Sequence, residues 1–499
     1  MPLLTLLLAC VHPTPPGPSP IDRLQELDAV LLQPAQGSQI LYLQATVTAG
    51  SAYDPVGQEG LAWLTAQMLR QGGAGERSPE QVDALLYELA AELEVVVDKD
   101  LVTVRGKALA EDAETFVPLF VDIVTQPAWD EAAFERLRDQ AITNLDVGLL
   151  ASDEALGDAV FDAWLHEGHP YGHPVQGRTG VLPSITLQQV QDFHERAWVR
   201  QATTLGLAGA VDQAAADDLA ARVLGGLEAT EPLEATPKPR PKWEGRELLV
   251  VEKPTASTGW HFGHPLDVGR DHPDYPALYL AMVHFGDHRE SHGRLYKNMR
   301  TARGLNYGDY AYVEHYVQKG WSRAQETGTV REQPKFSVWL RPTDADNGPF
   351  ALKMALQLTE DLVAEGLSQQ DFEATQEYLV MRSRTWAQDP GRRLGFAVEA
   401  EAMDLPNQLE ELPQAIAQLQ LEQVNAALDQ HIHPEDLRLV AVTEDGQALI
   451  SALTEDSPTP IVYRGVEPEP EQAKMDQEIA GKQVALDTWN VVPAEGIFR

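Results

Sequence analysis

At 499 residues the chain exceeds one compact core and has room for two domains of ordinary size. Hydrophobic residues make up 43%, enough to bury a core, yet 38 basic against 76 acidic residues leave a formal net charge of −38. Such a surface repels nucleic-acid phosphates and anionic lipid, which argues against a DNA, RNA or membrane-surface reader; it favours solubility and tolerates basic peptides or a basic partner.

The chain opens on Met1–Ala9, MPLLTLLLA, a short apolar run, followed by its one cysteine, Cys10. A single cysteine excludes an intrachain disulfide and a cysteine-based metal cluster. Leu7-Leu8-Ala9-Cys10 resembles the lipobox of bacterial lipoproteins, where signal peptidase cuts before a cysteine whose thiol is acylated. That resemblance implies a lipoprotein signal and spacer over residues 1–21, lipidation at Cys10, and an exported chain anchored in the bacterial cell envelope, facing the periplasm. Val11–Pro20, VHPTPPGPSP, reads as a stiff, extended spacer. No other segment approaches the roughly 20 apolar residues of a membrane span.

Further along, Ile40–Val47 alternates as a strand, and Thr48–Ala62 leads into a helix. Phe116–Ile142 reads as helix, a short loop at Asp130-Glu131, then a helix through Phe134. The second half repeats this order. Leu352–Leu379 has the same plan, with Ser368 as N-cap and Phe372 in the place of Phe134. Leu182-Pro183 before Ile185–Val190 is matched by Leu412-Pro413 before Leu419–Val424, the helical part at an offset of 234. The same offset carries the strand at Leu205-Gly206-Leu207 onto Leu439-Val440-Ala441. Strand Phe336–Leu340 is read as an opening strand of the second half, as Ile40–Val47 is of the first. The fold class is therefore α+β, with two duplicated domains, each a mainly antiparallel sheet packed with helices. The boundaries are 22–232 and 246–465, with a linker at 233–245 set in the Pro-rich run ATEPLEATPKPRPK (229–242). A tail at 466–499 starts EPEPEQ and ends apolar, so it is expected to fold back over the body.

The stretch Asp54-Pro55-Val56-Gly57-Gln58-Glu59-Gly60-Leu61-Ala62 resembles the approach to the metal helix of the insulinase/pitrilysin family of zinc peptidases, the inverzincins. In that family Gly-Leu-Ala leads into H-x-x-E-H. Two histidines four apart on one helix face hold the zinc, and the glutamate activates water. Here the five positions read Trp63-Leu64-Thr65-Ala66-Gln67. Tryptophan cannot ligate, Ala66 carries no base and Gln67 is a poor neutral ligand. The family's further glutamate ligand should fall near Gln140–Leu145, and no carboxylate stands there. Metal ligands and base are all missing, so this chain is expected to bind no zinc. His169-Pro170-Tyr171-Gly172 with Gly177, and Arg294–Tyr307 (RLYKNMRTARGLNY), extend the resemblance over nearly the whole mature chain. The latter stretch is the family's most recognisable one downstream. There an arginine and a tyrosine seven residues apart contact the substrate carbonyl and its oxyanion; Arg300 and Tyr307 match them. Arg300 is expected to close a helix and Tyr307 to begin the strand running to Tyr312.

The histidine groups are read as structural. Pro170 and Gly172 interrupt His166, His169 and His173, while Gly286 and Gly293 interrupt His284, His288 and His292. His261 and His264 alternate with aromatics on a strand and are assigned to packing.

The resemblance implies a zinc-less subunit of a two-chain metallopeptidase, with the zinc on a homologous partner, as a heterodimer or a homodimer, and peptides as substrates. Two alternatives stay open. One is a non-enzymatic peptide-binding or scaffold protein of the envelope. The other is an active metallopeptidase with a relocated metal, which needs a histidine cluster to converge with a carboxylate.

Overall fold

A computed structural model describes residues 30–35, 37–234, 243–320, 322–465 and 468–499. Cys10 with its lipobox, the Pro-rich spacer and residues 235–242 of the linker lie outside the described residues.

Strands β1 (Leu31–Pro34), β2 (Ile40–Val47), β3 (Glu92–Val97), β4 (Val102–Leu109) and β5 (Thr203–Gly209) form one sheet in the order β1-β5-β2-β4-β3. Strands β6 (Arg246–Glu252), β7 (Ser257–Pro265), β8 (Asp309–Tyr312), β9 (Lys335–Asp344), β10 (Leu437–Thr443) and β11 (Thr488–Pro493) form the other, ordered β11-β6-β10-β7-β9-β8. Without β11 the second order repeats the first. In both sheets the first pair, β1 with β5 and β6 with β10, is parallel, and the three remaining ladders of the repeat are antiparallel. Both ends of β5 and β10 stand 234 residues apart, so the offset read from the sequence is the offset of the fold. One expectation is corrected. Phe336–Leu340 lies inside β9, the counterpart of β4, and the second half opens with β6 and β7.

The first half supplies α1 (Leu61–Gln71), α2 (Pro79–Glu88), α3 (Ala113–Thr125), α4 (Glu131–Thr143), α5 (Asp153–Leu165), α6 (Leu187–Ala197) and α7 (Gln213–Gly226). The second supplies α8 (Tyr275–Gly286), α9 (Gly348–Glu365), α10 (Gln369–Trp386), α11 (Pro390–Met403), α12 (Leu412–Gln418), α13 (Leu421–His431), α14 (Gly446–Thr454) and α15 (Pro470–Ala480). Their starts are chemically marked. Asp130 caps α4 through the Ala133 N–H at 2.7 Å, and Ser368 caps α10 through the Asp371 N–H at 3.1 Å, each worth about 1 kcal/mol. Gln189 on α6 accepts the Thr186 N–H at 2.8 Å, and Gln423 on α13 accepts the Gln420 N–H at the same distance.

Each sheet packs against its own helices, but one helix of each half crosses to the other. Helix α5 lies on β7 and β10, its Leu156 and Val160 sharing a core with Val440 and Val442. Helix α11 lies on β5, β2 and β1, where Leu394 and Val398 close on Ala208. These two helices occupy corresponding places in the repeat, so the exchange is reciprocal. Gly157 permits the close approach of α5: a Cβ there would lie 2.7 Å from Nδ1 of His261 on β7. The tail adds α15 and then β11, parallel to β6, and Thr179 of the first half donates to the Phe498 carbonyl at 2.9 Å.

Candidate functional site

Helix α1 starts at Gly60, whose φ of +107° favours glycine and where a Cβ would meet the Gln176 carbonyl oxygen at 2.7 Å. Both oxygens of half-buried Asp54 accept N–H groups of that first turn, Gly60 and Ala62, at 2.7 Å each. Burial outweighs these bonds and pushes the Asp54 carboxyl up to about 7. The Asp-to-Gly motif thus caps the helix. On α1 itself, Ala66 is buried in the core, and half-buried Gln67 accepts the Gln71 amide at 3.4 Å. Helix α4 packs against α1, and residues 140–145 at its end present buried Ala141 and Leu145 without a carboxylate. The side chains around Trp63 therefore do not fit a zinc ion.

Trp63 instead walls a cavity of about 590 Å³ between the two halves, within the range of ligand pockets. The floor is ionic. Arg331 donates from Nη1 to both oxygens of Asp162 on α5 at 2.9 Å, and from Nε and Nη2 to Asp98, just after β3, at 3.0 and 2.7 Å. Lys335, the first residue of β9, donates to Asp162 at 2.7 Å. All four side chains are buried, with carboxylates from the first half and cations from the second. Burial opposes the charge on Asp162, but Arg331 and Lys335 win and hold its carboxyl well below the usual range. Asp158, one turn earlier on α5, faces the cavity and makes no hydrogen bond or ion pair among the described residues. The enclosing walls push its carboxyl up. Beside it, Trp339 Nε1, Tyr316 OH and His315 Nδ1 are buried without partners. This ionic floor had no signal in the sequence beyond an inward-facing lysine at a strand start.

Arg300 and Tyr307 do not wall this cavity. Arg300 lies in the turn Lys297–Thr301 that ends a short helix, as expected. Tyr307 precedes the strand rather than beginning it, because β8 starts at Asp309. Arg300 Nη1 donates to the Tyr307 carbonyl at 2.9 Å, and its guanidinium stands 4.1 Å from the Tyr307 ring and 4.9 Å from that of Tyr296. Tyr307 is 64% exposed. Arg341 approaches the same ring at 5.6 Å while pairing with Glu154, a wall of the cavity, which puts the Arg300–Tyr307 pair at the cavity's outer margin.

The model described as Insulinase (Peptidase family M16) matches residues 29–167, and that described as Peptidase M16 inactive domain matches 184–379. Together they take in more than half of the chain. The chain belongs to the insulinase family, M16. An uncharacterized zinc protease of Mycobacterium leprae is 24% identical over 252 residues, 49% of this chain and 54% of that protein. Subunit 1 of the mitochondrial cytochrome b-c1 complex of Bos taurus is 23% identical over 254 residues, 50% and 51% of the two chains. The chain thus spans about half the length of these relatives. The crystal structure of a peptidase M16 inactive domain from Pseudomonas fluorescens aligns with a TM-score of 0.72 at 22% identity, over 83% of this chain and 96% of that one, a likeness of fold.

In this M16 chain neither histidine cluster converges on an ion. His166 Nδ1 is bonded to the Asp162 carbonyl and His173 Nδ1 to that of Pro174; burial pushes both rings down to about 3. His288 Nδ1 pairs with the Tyr312 hydroxyl at 2.7 Å, while His292 turns its ring edge to Tyr378. His261 stacks between Phe161 and Trp339, the packing role its strand pattern predicts. A set that does converge, His272, Asp274 and His431, was not legible because its parts are remote in sequence.

Proposed function

We propose that this chain is the subunit lacking the catalytic zinc of a two-chain insulinase-type metallopeptidase, presenting Arg300 and Tyr307 to a peptide carbonyl at a hydrolytic site on a homologous partner. The observation that carries this reading is the Arg300–Tyr307 pair: fixed by a hydrogen bond and a ring contact, yet outward, with Tyr307 64% exposed. The Tyr307 hydroxyl makes no hydrogen bond among the described residues. One permanent cation and one neutral donor at fixed spacing suit an oxygen that gains negative charge. The degenerate helix around Trp63, Ala66 and Gln67 supports placing the zinc on the partner. Unpaired Asp158 and the aromatic walls around it suit a peptide with a basic residue, in keeping with the net charge of −38. Acylation at Cys10 would hold the assembly at the periplasmic side of the envelope.

The test is peptide hydrolysis by this chain alone and mixed with a neighbouring-gene homologue that keeps H-x-x-E-H. Activity in the mixture only supports the reading. Activity of this chain alone overturns it. No activity in either sample favours the scaffold, a reading supported by the likeness to a cytochrome b-c1 subunit.

A further inference from the structure

His272 and Asp274 lie on the turn that leads into α8; His431 is the last residue of α13, 157 residues beyond Asp274. Asp274 occupies the N-cap position of α8, where a carboxylate usually accepts amides of the first turn. It makes no such bond. Its Oδ2 is instead 2.8 Å from His431 Nε2 and 3.9 Å from His272 Nδ1, and the two rings stand edge to face at 5.5 Å. The three donor atoms lie within 4.8 Å of one another, an approach found for no other three such side chains among the described residues. His272 Nδ1 faces the Asp274 backbone N–H at 3.1 Å, a contact it can give up by a small ring rotation.

We propose that His272, Asp274 and His431 bind a divalent transition-metal ion, zinc foremost. Tetrahedral ligands at about 2.0–2.1 Å from an ion are roughly 3.3 Å apart, midway between the two spacings observed here. Two imidazoles and one carboxylate form a borderline N₂O donor set that suits zinc over calcium or magnesium. All three side chains are partly exposed, at 34, 37 and 12%, so an ion can reach them and keep a fourth position for water. Both packing partners, α8 and α13, belong to the second core, so the ion fastens one to the other. It has no part in peptide hydrolysis.

Calorimetric titration of the metal-free full chain with zinc tests the site, with cobalt as a spectroscopic probe of its geometry. The expected result is one ion per chain, a higher Tm, and the visible absorption of four-coordinate cobalt. His431→Ala and His272→Ala should each weaken zinc binding by at least about a hundredfold, since even groups that only orient ligands are worth about 10–100-fold. Asp274→Asn, which can still pair with His431, should also lose the ion. A wild-type chain without stoichiometric zinc, or His431→Ala binding as tightly as wild type, overturns the site and leaves a histidine–aspartate ion pair. His431→Ala should not change hydrolysis by the mixed assembly, so this site and the peptidase role succeed or fail separately.

Discussion

Arg331 grips both oxygens of Asp162 at 2.9 Å while its other nitrogens hold Asp98, so one guanidinium from the second half bridges two carboxylates from the first. Arg331→Ala would leave both buried without their main counter-charge. The expected loss is about 3–5 kcal/mol of unfolding free energy in denaturant titration. Asp162→Asn leaves Arg331 on Asp98 but takes the carboxylate from buried Lys335, so it should also destabilise, and the double variant should fall short of the two losses added.

For the proposed chemistry, Arg300→Ala and Tyr307→Phe should each lower kcat of the mixed assembly by about 10²–10³-fold, the usual worth of one oxyanion donor. Neither should alter assembly, and neither should move stability beyond about 0.5 kcal/mol, since both side chains are partly solvated. Arg300→Lys keeps the charge but loses the planar contact with Tyr307 and should rescue only in part. Unchanged turnover in Arg300→Ala would remove its role.

Gly157→Ala pits helix propensity against packing. Alanine gains up to about 1 kcal/mol in a helix interior, while overpacking costs about 1–3 kcal/mol. His261 is held between Phe161 and Trp339 and has little room to yield to a Cβ at 2.7 Å, so the clash should win. A lower Tm is expected.

Acid should weaken the fold between pH 6.5 and 4. Burial pushes His166, His173, His261 and His288 down to about 3, and His194 and His264 to about 4. In that window the unfolded chain takes up protons at these rings and the folded chain does not, so stability falls with pH by ~1 kcal/mol per unit for each ring. Asp54, Asp100 and Asp309 act oppositely. Burial raises each to about 7, so the folded chain keeps a proton that the unfolded chain releases. The histidines outnumber them. Tm should therefore drop from pH 7 to pH 5; a rise would mean that the carboxylates dominate.

The repeat was legible because local chemistry recurs: apolar strands at Leu205 and Leu439, and helix starts at Thr186 and Gln420. The degenerate metal helix is read from equally local chemistry, since Trp63, Ala66 and Gln67 sit on one helix. What the sequence hid was long-range. Nothing near Arg331 names Asp98 and Asp162 as its partners, and nothing near His272 names His431. Amphipathic patterning likewise shows that α5 and α11 have apolar faces, but not which sheet receives them. Tyr307 is expected to begin the strand that runs to Tyr312, whereas pairing with β9 begins only at Asp309.

The reciprocal crossing of α5 and α11 has a consequence for biosynthesis. A chain emerging amino-terminus first completes its first sheet at Gly209, yet α11, which covers β5 and β2, follows only at residues 390–403. Helix α5, made early, waits for β7 at 257–265 and β10 at 437–443 before its docking surface is complete. Neither half can close before most of the other exists. Nascent chains that end before residue 390 thus carry an uncovered β5–β2 face and a partly covered α5, the condition in which chaperones are engaged.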